Sequence, residues 1–197
     1  MSAYPIFPRA AALLAPALLA AVAACSDPFQ LPPANLAPAS GTVTLWALTG
    51  TDISNPSAFD VELNSVARTD RTSNFDFAFD LRVDSLLRDT SAVLLPRGAL
   101  GLYVDGGLQV VQQAFDSITI APTTGYQDTV AAAVKVGTVV IAASRSQTCN
   151  SGIIKPIYAK IHVTALDLVA RTLTFDIVQD PNCGYRSLKA DTLPPTE

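Results

Sequence analysis

A strict two-residue period in hydrophobicity governs the last third of this chain and leaves little choice of fold. From Ile157 to Leu166, the residues Ile157, Ala159, Ile161, Val163 and Ala165 share one side, while Tyr158, Lys160, His162 and Thr164 share the other. From Thr172 to Val178 the pattern repeats, with Leu173, Phe175 and Ile177 set against Thr172, Thr174 and Asp176. Only an extended strand puts every second side chain on one face, so both segments read as half-buried strands, joined as a hairpin. The uninterrupted apolar run from Val136 to Ala143 reads as a third strand ahead of them. If the three run up, down and up, Cys149 and Cys183 arrive at the same end, where a disulfide is sterically allowed. They are 34 residues apart. By chain entropy such a crosslink is worth roughly 3.5 to 4 kcal/mol.

Upstream, Phe75 to Val83 alternates as cleanly: Phe75, Phe77, Phe79, Leu81 and Val83 face one way, and Asp76, Asp80, Arg82 and Asp84 the other. The apolar row must be buried, because five large side chains in line on an open strand promote aggregation. Thr42 to Thr49 is a further strand, holding the only tryptophan, Trp46, and Ala58 to Arg68 alternates loosely. Two apolar runs between Ala99 and Val111 flank Asp105-Gly106-Gly107, a hairpin signal because glycine reaches the positive φ of tight turns. Phe115 to Ile120 reads as a short strand, Asp84 to Leu95 as a short helix or a strand pair, and Gly125 to Val136 as an Ala-rich piece that Asp128 caps as a short helix. Eight to ten short strands with frequent turn signals predict an all-β antiparallel sandwich over residues 42–187, with a small barrel as the alternative. Trp46 precedes both late cysteines, so an immunoglobulin-like or fibronectin-like architecture is expected without the Cys-Trp-Cys signature.

The first 24 residues are set apart from that domain. Arg9 and the amino terminus give a positive flank, and Ala10 to Ala24 is an apolar run of 15 residues, too short for a comfortable membrane span. This is a secretory signal. Its last residues, Val22-Ala23-Ala24-Cys25, resemble the lipobox of bacterial lipoproteins. The resemblance covers only the targeting segment and implies cleavage before Cys25 and lipidation of its sulfur; the alternative is an ordinary secretory signal. Ser26 directly after the cysteine resembles the pattern released to the outer membrane, so attachment to a bacterial cell envelope through lipid on Cys25 is expected. Cysteine arithmetic agrees: of three cysteines, two pair and the odd one is accounted for. The folded part resembles uncharacterised envelope lipoproteins in general plan only, which assigns no residue a role. Residues 25–41, with Pro28, Pro32, Pro33 and Pro38, read as an extended tether, and residues 188–197 as a loose tail.

The residues offer little chemistry. No phosphate-cradling glycine loop, zinc-protease motif or serine elbow occurs, so no catalytic residue is assigned. The one histidine, His162, sits on the polar side of its strand and is expected to face solvent as a structural residue. Without a second imidazole, and with Cys149 and Cys183 spent on each other, neither metal nor cofactor is expected. Asp76, Asp80 and Asp84 lie about 13 to 14 Å apart at four-residue steps, and with Arg82 among them they read as a solvated mixed-charge face. Loop acids Asp52, Asp60, Asp70 and Asp89 are the ones able to complete a calcium site there, and Asp105 and Asp180 read as turn residues. A net charge of −4, falling to −5 without Arg9, offers phosphates no attraction, so nucleic acid is not an expected partner. The expectation is a lipid-anchored binding or scaffolding domain with an envelope protein as partner. The alternatives are a hydrolase using a carboxylate pair and a carrier with an apolar barrel cavity.

Overall fold

Alternation along the longest strands sorts the side chains between an interior shared by two sheets and the faces outside them. The computed structural model describes residues 31–84, 89–149 and 152–195. The leader expected over 1–24, the expected lipidation site Cys25 and the expected tether as far as Gln30 lie outside the described residues. In chain order the strands are β1 (Ala39–Trp46), β2 (Ala58–Asp60), β3 (Ser65–Ala67), β4 (Phe77–Asp84), β5 (Asp89–Pro96), β6 (Gly107–Val111), β7 (Ala132–Val134), β8 (Val139–Ala143), β9 (Gln147–Thr148), β10 (Ile154–Lys155), β11 (Tyr158–Asp167) and β12 (Thr172–Asp180). Among the described residues there is no α-helix, only the 3-10 turns Arg97–Leu100 and Phe115–Ser117.

One sheet runs β1-β12-β11-β8-β6 and the other β3-β2-β4-β5-β7, every pairing antiparallel; β9 and β10 form a separate small hairpin. This is an antiparallel sandwich. The barrel alternative fails, because each sheet ends on outer strands and neither closes on itself. The up-down-up arrangement of β8, β11 and β12 is as the sequence predicts.

Three phenylalanines join the sheets at the centre. Phe175 of β12 lies 5.8 Å from Phe59 of β2, edge to face, and 6.2 Å from Phe77 of β4, which is itself 5.7 Å from Phe59. Edge and tilted contacts of this kind suit the ring quadrupole and add to simple area burial. Leu45, Phe79, Ile161 and Leu173 continue the same core.

All five residues of β8 are buried. Val140 and Ala142 point into the core between the sheets, whereas Val139, Ile141 and Ala143 lie beneath a roof that includes Ile118, Ala121 and Leu188. A strand covered on both faces has no polar side, which is why this run shows no alternation.

Several expected elements differ. Ala99 to Val111 is not a hairpin: β6 pairs with β8, and Leu100 and Leu102 pack instead with Phe75 and Ala78 in a cluster of their own. Gly106, at φ +76°, lets the chain pass so close to β8 that a Cβ would stand 2.4 Å from the Ala143 carbonyl oxygen. Phe115 to Ile120 is a 3-10 turn followed by a single bridge from Ile120 to Ser187, because it serves as roof rather than sheet. The Ala-rich stretch forms β7 on the edge of a sheet, not a helix, and Asp128 lends its carbonyl to the Gly98 amide. Asp84 to Leu95 is not a strand pair of its own: from Asp89 it is the single strand β5, which pairs with β4.

The domain's ends also extend past their expected limits. Ala39 to Gly41 already pair with β12. Leu188 is fully buried and its amide bonds to the Thr119 carbonyl, while the Asp191 amide reaches the Pro38 carbonyl. Proline content alone does not distinguish a free tether from an extended segment laid on a sheet end.

Candidate functional site

Polar groups gather at three places. The first is a buried charge cluster around Arg145, just past the end of β8. Its Nη2 donates to Asp60 Oδ2 at 3.0 Å and lies 3.5 Å from Glu62, and its Nη1 lies 3.2 Å from Asp76 Oδ1. Asp60 and Asp76 are only 2% and 5% exposed. The remaining oxygens are committed as well: Asp76 accepts from the backbone amides of Arg145 and Val61, both at 2.7 Å, and Asp60 from that of Leu63 at 3.0 Å. Burial raises the Asp76 carboxyl above its usual range, against the opposing pull of the Arg145 amide and guanidinium and the Val61 amide. Burial works against the charge on Arg145 too, but Asp76, Asp60 and Glu62 together outweigh it and hold the guanidinium above its ordinary value. Nearby Arg97 donates to the carbonyls of Ser73 and Phe75, and burial first, then repulsion from Arg145, lowers its pKa.

This overturns the reading of Asp76 as part of a solvated stripe. The strand begins at Phe77, so Asp76 is out of phase with Asp80, which accepts from the Thr49 amide and hydroxyl. Phe75 is out of phase for the same reason and joins the outer cluster with Ala78, while Val83 is 65% exposed. The other acids serve locally. Asp70 pairs with Arg68 and Arg71, Asp52 accepts from the Ser54 amide, and Asp105 accepts from the amide and hydroxyl of Ser146. Asp180, expected in a turn, instead closes strand β12 opposite Tyr158 and accepts from the Asn182 amide. Among the described residues no group of three or more His, Cys, Asp or Glu side chains is placed to hold a metal ion.

The second place is a groove of about 1010 Å³ between β6 and β7, the outer strands of the two sheets, lined among others by Val110, Phe115, Lys135, Val136, His162 and Asp176. His162 is half-buried rather than fully in solvent, its ring stacked on Phe115 at 5.7 Å. Lys160, on the same side of β11, tucks beneath that ring and donates to the carbonyls of Phe115 and Ile118, both at 2.9 Å; burial lowers its pKa, opposed by Asp116. His162 faces Asp176 directly across the β11–β12 ladder, and Thr42 donates its hydroxyl to Asp176 at 2.7 Å. The order is hydroxyl, carboxylate, imidazole. A nucleophilic triad needs the imidazole in the middle to take the hydroxyl proton, so these three residues do not form one.

One edge of the groove is open backbone. Leu108 exchanges both its backbone hydrogen bonds with Gln127, at 2.9 and 2.8 Å, on the side of β6 away from β8. Val110, two residues on, presents its N–H and C=O in the same direction, with nothing paired to them among the described residues.

The third place is the disulfide. Cys149 and Cys183 are joined, with Cα atoms 5.7 Å apart. The bridge links the turn of the β9–β10 hairpin to the segment after β12, so it ties two loops at one end of the sandwich and does not cross between sheets. Trp46 pairs with Thr172 at the opposite end of β12, far from the sulfurs.

Of these features, the sequence revealed the cysteine pair. It did not reveal the Arg145 cluster, the groove or the role of Asn182 and Tyr185 beside Cys183, which depend on contacts spanning 69 to 153 residues. No protein-family model matches the chain, and no curated protein matches it in sequence.

Proposed function

We propose that this protein is a lipid-anchored, exported β-domain that serves as a binding or scaffolding module in a bacterial cell envelope. The observation that carries the reading is the Cys149–Cys183 bond. A structural disulfide belongs to an oxidising compartment. By taking two of the three cysteines it leaves Cys25, placed directly after the apolar run Ala10 to Ala24, as the thiol that accepts lipid. One acyl chain holds a protein marginally and several hold it firmly, so the domain surface needs no basic patch for attachment. Ser26 favours the outer membrane as destination.

The partner surface in this reading is the groove beside β6, with its free backbone groups at Val110 and apolar wall at Val136. The geometry does not favour a carboxylate-pair hydrolase, since Asp60 and Asp76 have both oxygens occupied and face Arg145 instead of a cleft. Nor does it favour an apolar carrier, because phenylalanines fill the space between the sheets.

The test is incorporation of a clickable fatty acid, together with membrane fractionation, for the native protein and Cys25→Ser. The native protein is expected to be labelled and sedimented with membranes, and the variant to be unlabelled and released. A variant still partitioning with membranes sinks the anchor. A photo-crosslinking residue at Val110 is expected to capture an envelope protein, and one at Arg82, on the exposed side of β4, is not.

A further inference from the structure

Residues 32–36, expected to hang free as tether, are held by the two side chains that flank Cys183. Asn182 Oδ1 accepts from the amides of Asn35 at 3.0 Å and Leu36 at 3.2 Å, and its Nδ2 donates back to the Leu36 carbonyl. The Tyr185 hydroxyl accepts from the Ala34 amide at 3.2 Å and donates to the Pro32 carbonyl at 3.0 Å. Leu31 rests on Gly184, where a Cβ would stand 2.9 Å from its methyl. Asn182 is aligned in turn by Asp180, which accepts from its backbone amide at 2.9 Å and its side-chain amide at 2.6 Å. Among the described residues the hydrogen bonds that hold the strap come from Asn182 and Tyr185, and the covalent bond in that short turn is the one from Cys183 to Cys149.

We infer that residues 180–185 are a redox-controlled clamp: the Cys149–Cys183 bond sets the turn that grips the strap 31–36, and its reduction releases the strap from the body. A hollow of about 310 Å³ lies beside the bond, lined by Pro32, Pro33, Asn35, Cys149, Cys183 and Tyr185. Cys149 is 4% exposed and Cys183 half-buried, so the Cys183 sulfur is the one an incoming thiolate meets. The reductant is a dithiol. Its thiolate attacks Cys183, the S–S bond breaks, and the Cys149 thiolate leaves and takes a proton. The second thiol of the reductant then displaces Cys183 from the mixed disulfide, leaving two protein thiols and an oxidised reductant. Release frees about six residues ahead of the sandwich, or roughly 20 Å of extended reach between it and the envelope attachment. That consequence rests on the proposed anchor, whereas the clamp itself does not.

The experiment is amide hydrogen exchange on the whole chain carrying Cys25→Ser, oxidised and after treatment with dithiothreitol, with the thiols checked by alkylation. Reduction is expected to speed exchange at Ala34, Asn35 and Leu36 by about tenfold or more while the ladder amides of β11 and β12 stay protected. Tyr185→Phe, oxidised, is expected to speed Ala34 alone. Unchanged exchange at these three amides with both cysteines alkylated overturns the inference, as does loss of protection throughout β11 and β12. Since acylation plays no part in this readout, it fails separately from the anchor.

Discussion

Replacing Arg145 with methionine removes the cation that pairs with both buried carboxylates and leaves the backbone in place. Asp60 and Asp76 then keep their amide donors, Leu63 for the first and Val61 and residue 145 for the second, but lose contacts of 3.0 and 3.2 Å to positive charge. Breaking a buried pair costs about 3 to 5 kcal/mol, and the surviving amide bonds place this case near about 3 kcal/mol. The lost contact to Glu62, whose side chain is 34% exposed, adds little. Urea denaturation of the Cys25→Ser chain with and without the second substitution reads the difference directly. The pH profile carries the sharper signature. Burial already raises the folded-state pKa of Asp76, so the folded chain binds that proton more tightly than the unfolded one, and the benefit is complete below the unfolded value and disappears as pH rises through the folded one. Without the guanidinium the carboxyl rises further, so the variant suffers most at pH above its folded-state value and recovers as pH falls through it. A loss under about 1 kcal/mol that stays flat with pH would falsify the picture of a dry, charge-paired cluster.

Three other outcomes follow from the packing. Cys149→Ala with Cys183→Ala is expected to lower unfolding free energy by roughly 3.5 to 4 kcal/mol, read by urea titration against the oxidised parent. Phe175→Ala, which opens the contact between the sheets, is expected to cost about 3 to 5 kcal/mol, and a loss as small as that of an exposed residue would mean that the sheets do not meet there. Gly106→Ala drives a methyl into the Ala143 carbonyl and is expected to lower Tm far more than Gly101→Ala, which has the same sign of φ but open space around it and carries only a left-handed penalty of about 1 kcal/mol.

What the sequence made legible is what local period determines. The alternation at β11 and β12 is carried by neighbours two residues apart, and it fixed the strand directions closely enough to bring Cys149 and Cys183 together. The alternation that the sequence shows from Phe75 becomes a strand only from Phe77. Phase is lost where the chain turns: the Phe75 amide bonds to the Ser73 carbonyl, and Asp76 thereby points towards Arg145. Apolar runs were harder, because a run says that side chains are buried but not by what. Leu100 and Leu102 cover the outside of one sheet, and Phe115 and Ile118 the outside of the other, so each run imitated a strand while serving as a roof. The tether hid its attachment for a related reason. Its bonds to Asn182 and Tyr185 use its own backbone, which leaves no trace in side-chain type.

The two ends of the sandwich are built for different work. At one end the chain's early and late segments converge, with Pro38 and Asp191, Asn35 and Asn182, and the disulfide all tying loops to loops. The nine residues of β12 then run roughly 30 Å to the opposite end. There the β11–β12 turn offers Val169 at 96% exposure. The groove opens between the sheets along the way, and the edge it exposes is short. β6 has five residues, Gln127 closes one end of it, and Val110 is the residue within it whose backbone has no partner among the described residues. Long bare edges recruit other sheets without limit, whereas an edge this brief accepts one extended segment and offers no template for a second. In the proposed reading that brevity is functional: a partner strand docks beside Val110 with its side chains against Val136 and Phe115, and substituting proline for Val110 removes the donor that holds it without disturbing the bonds from β6 to β8.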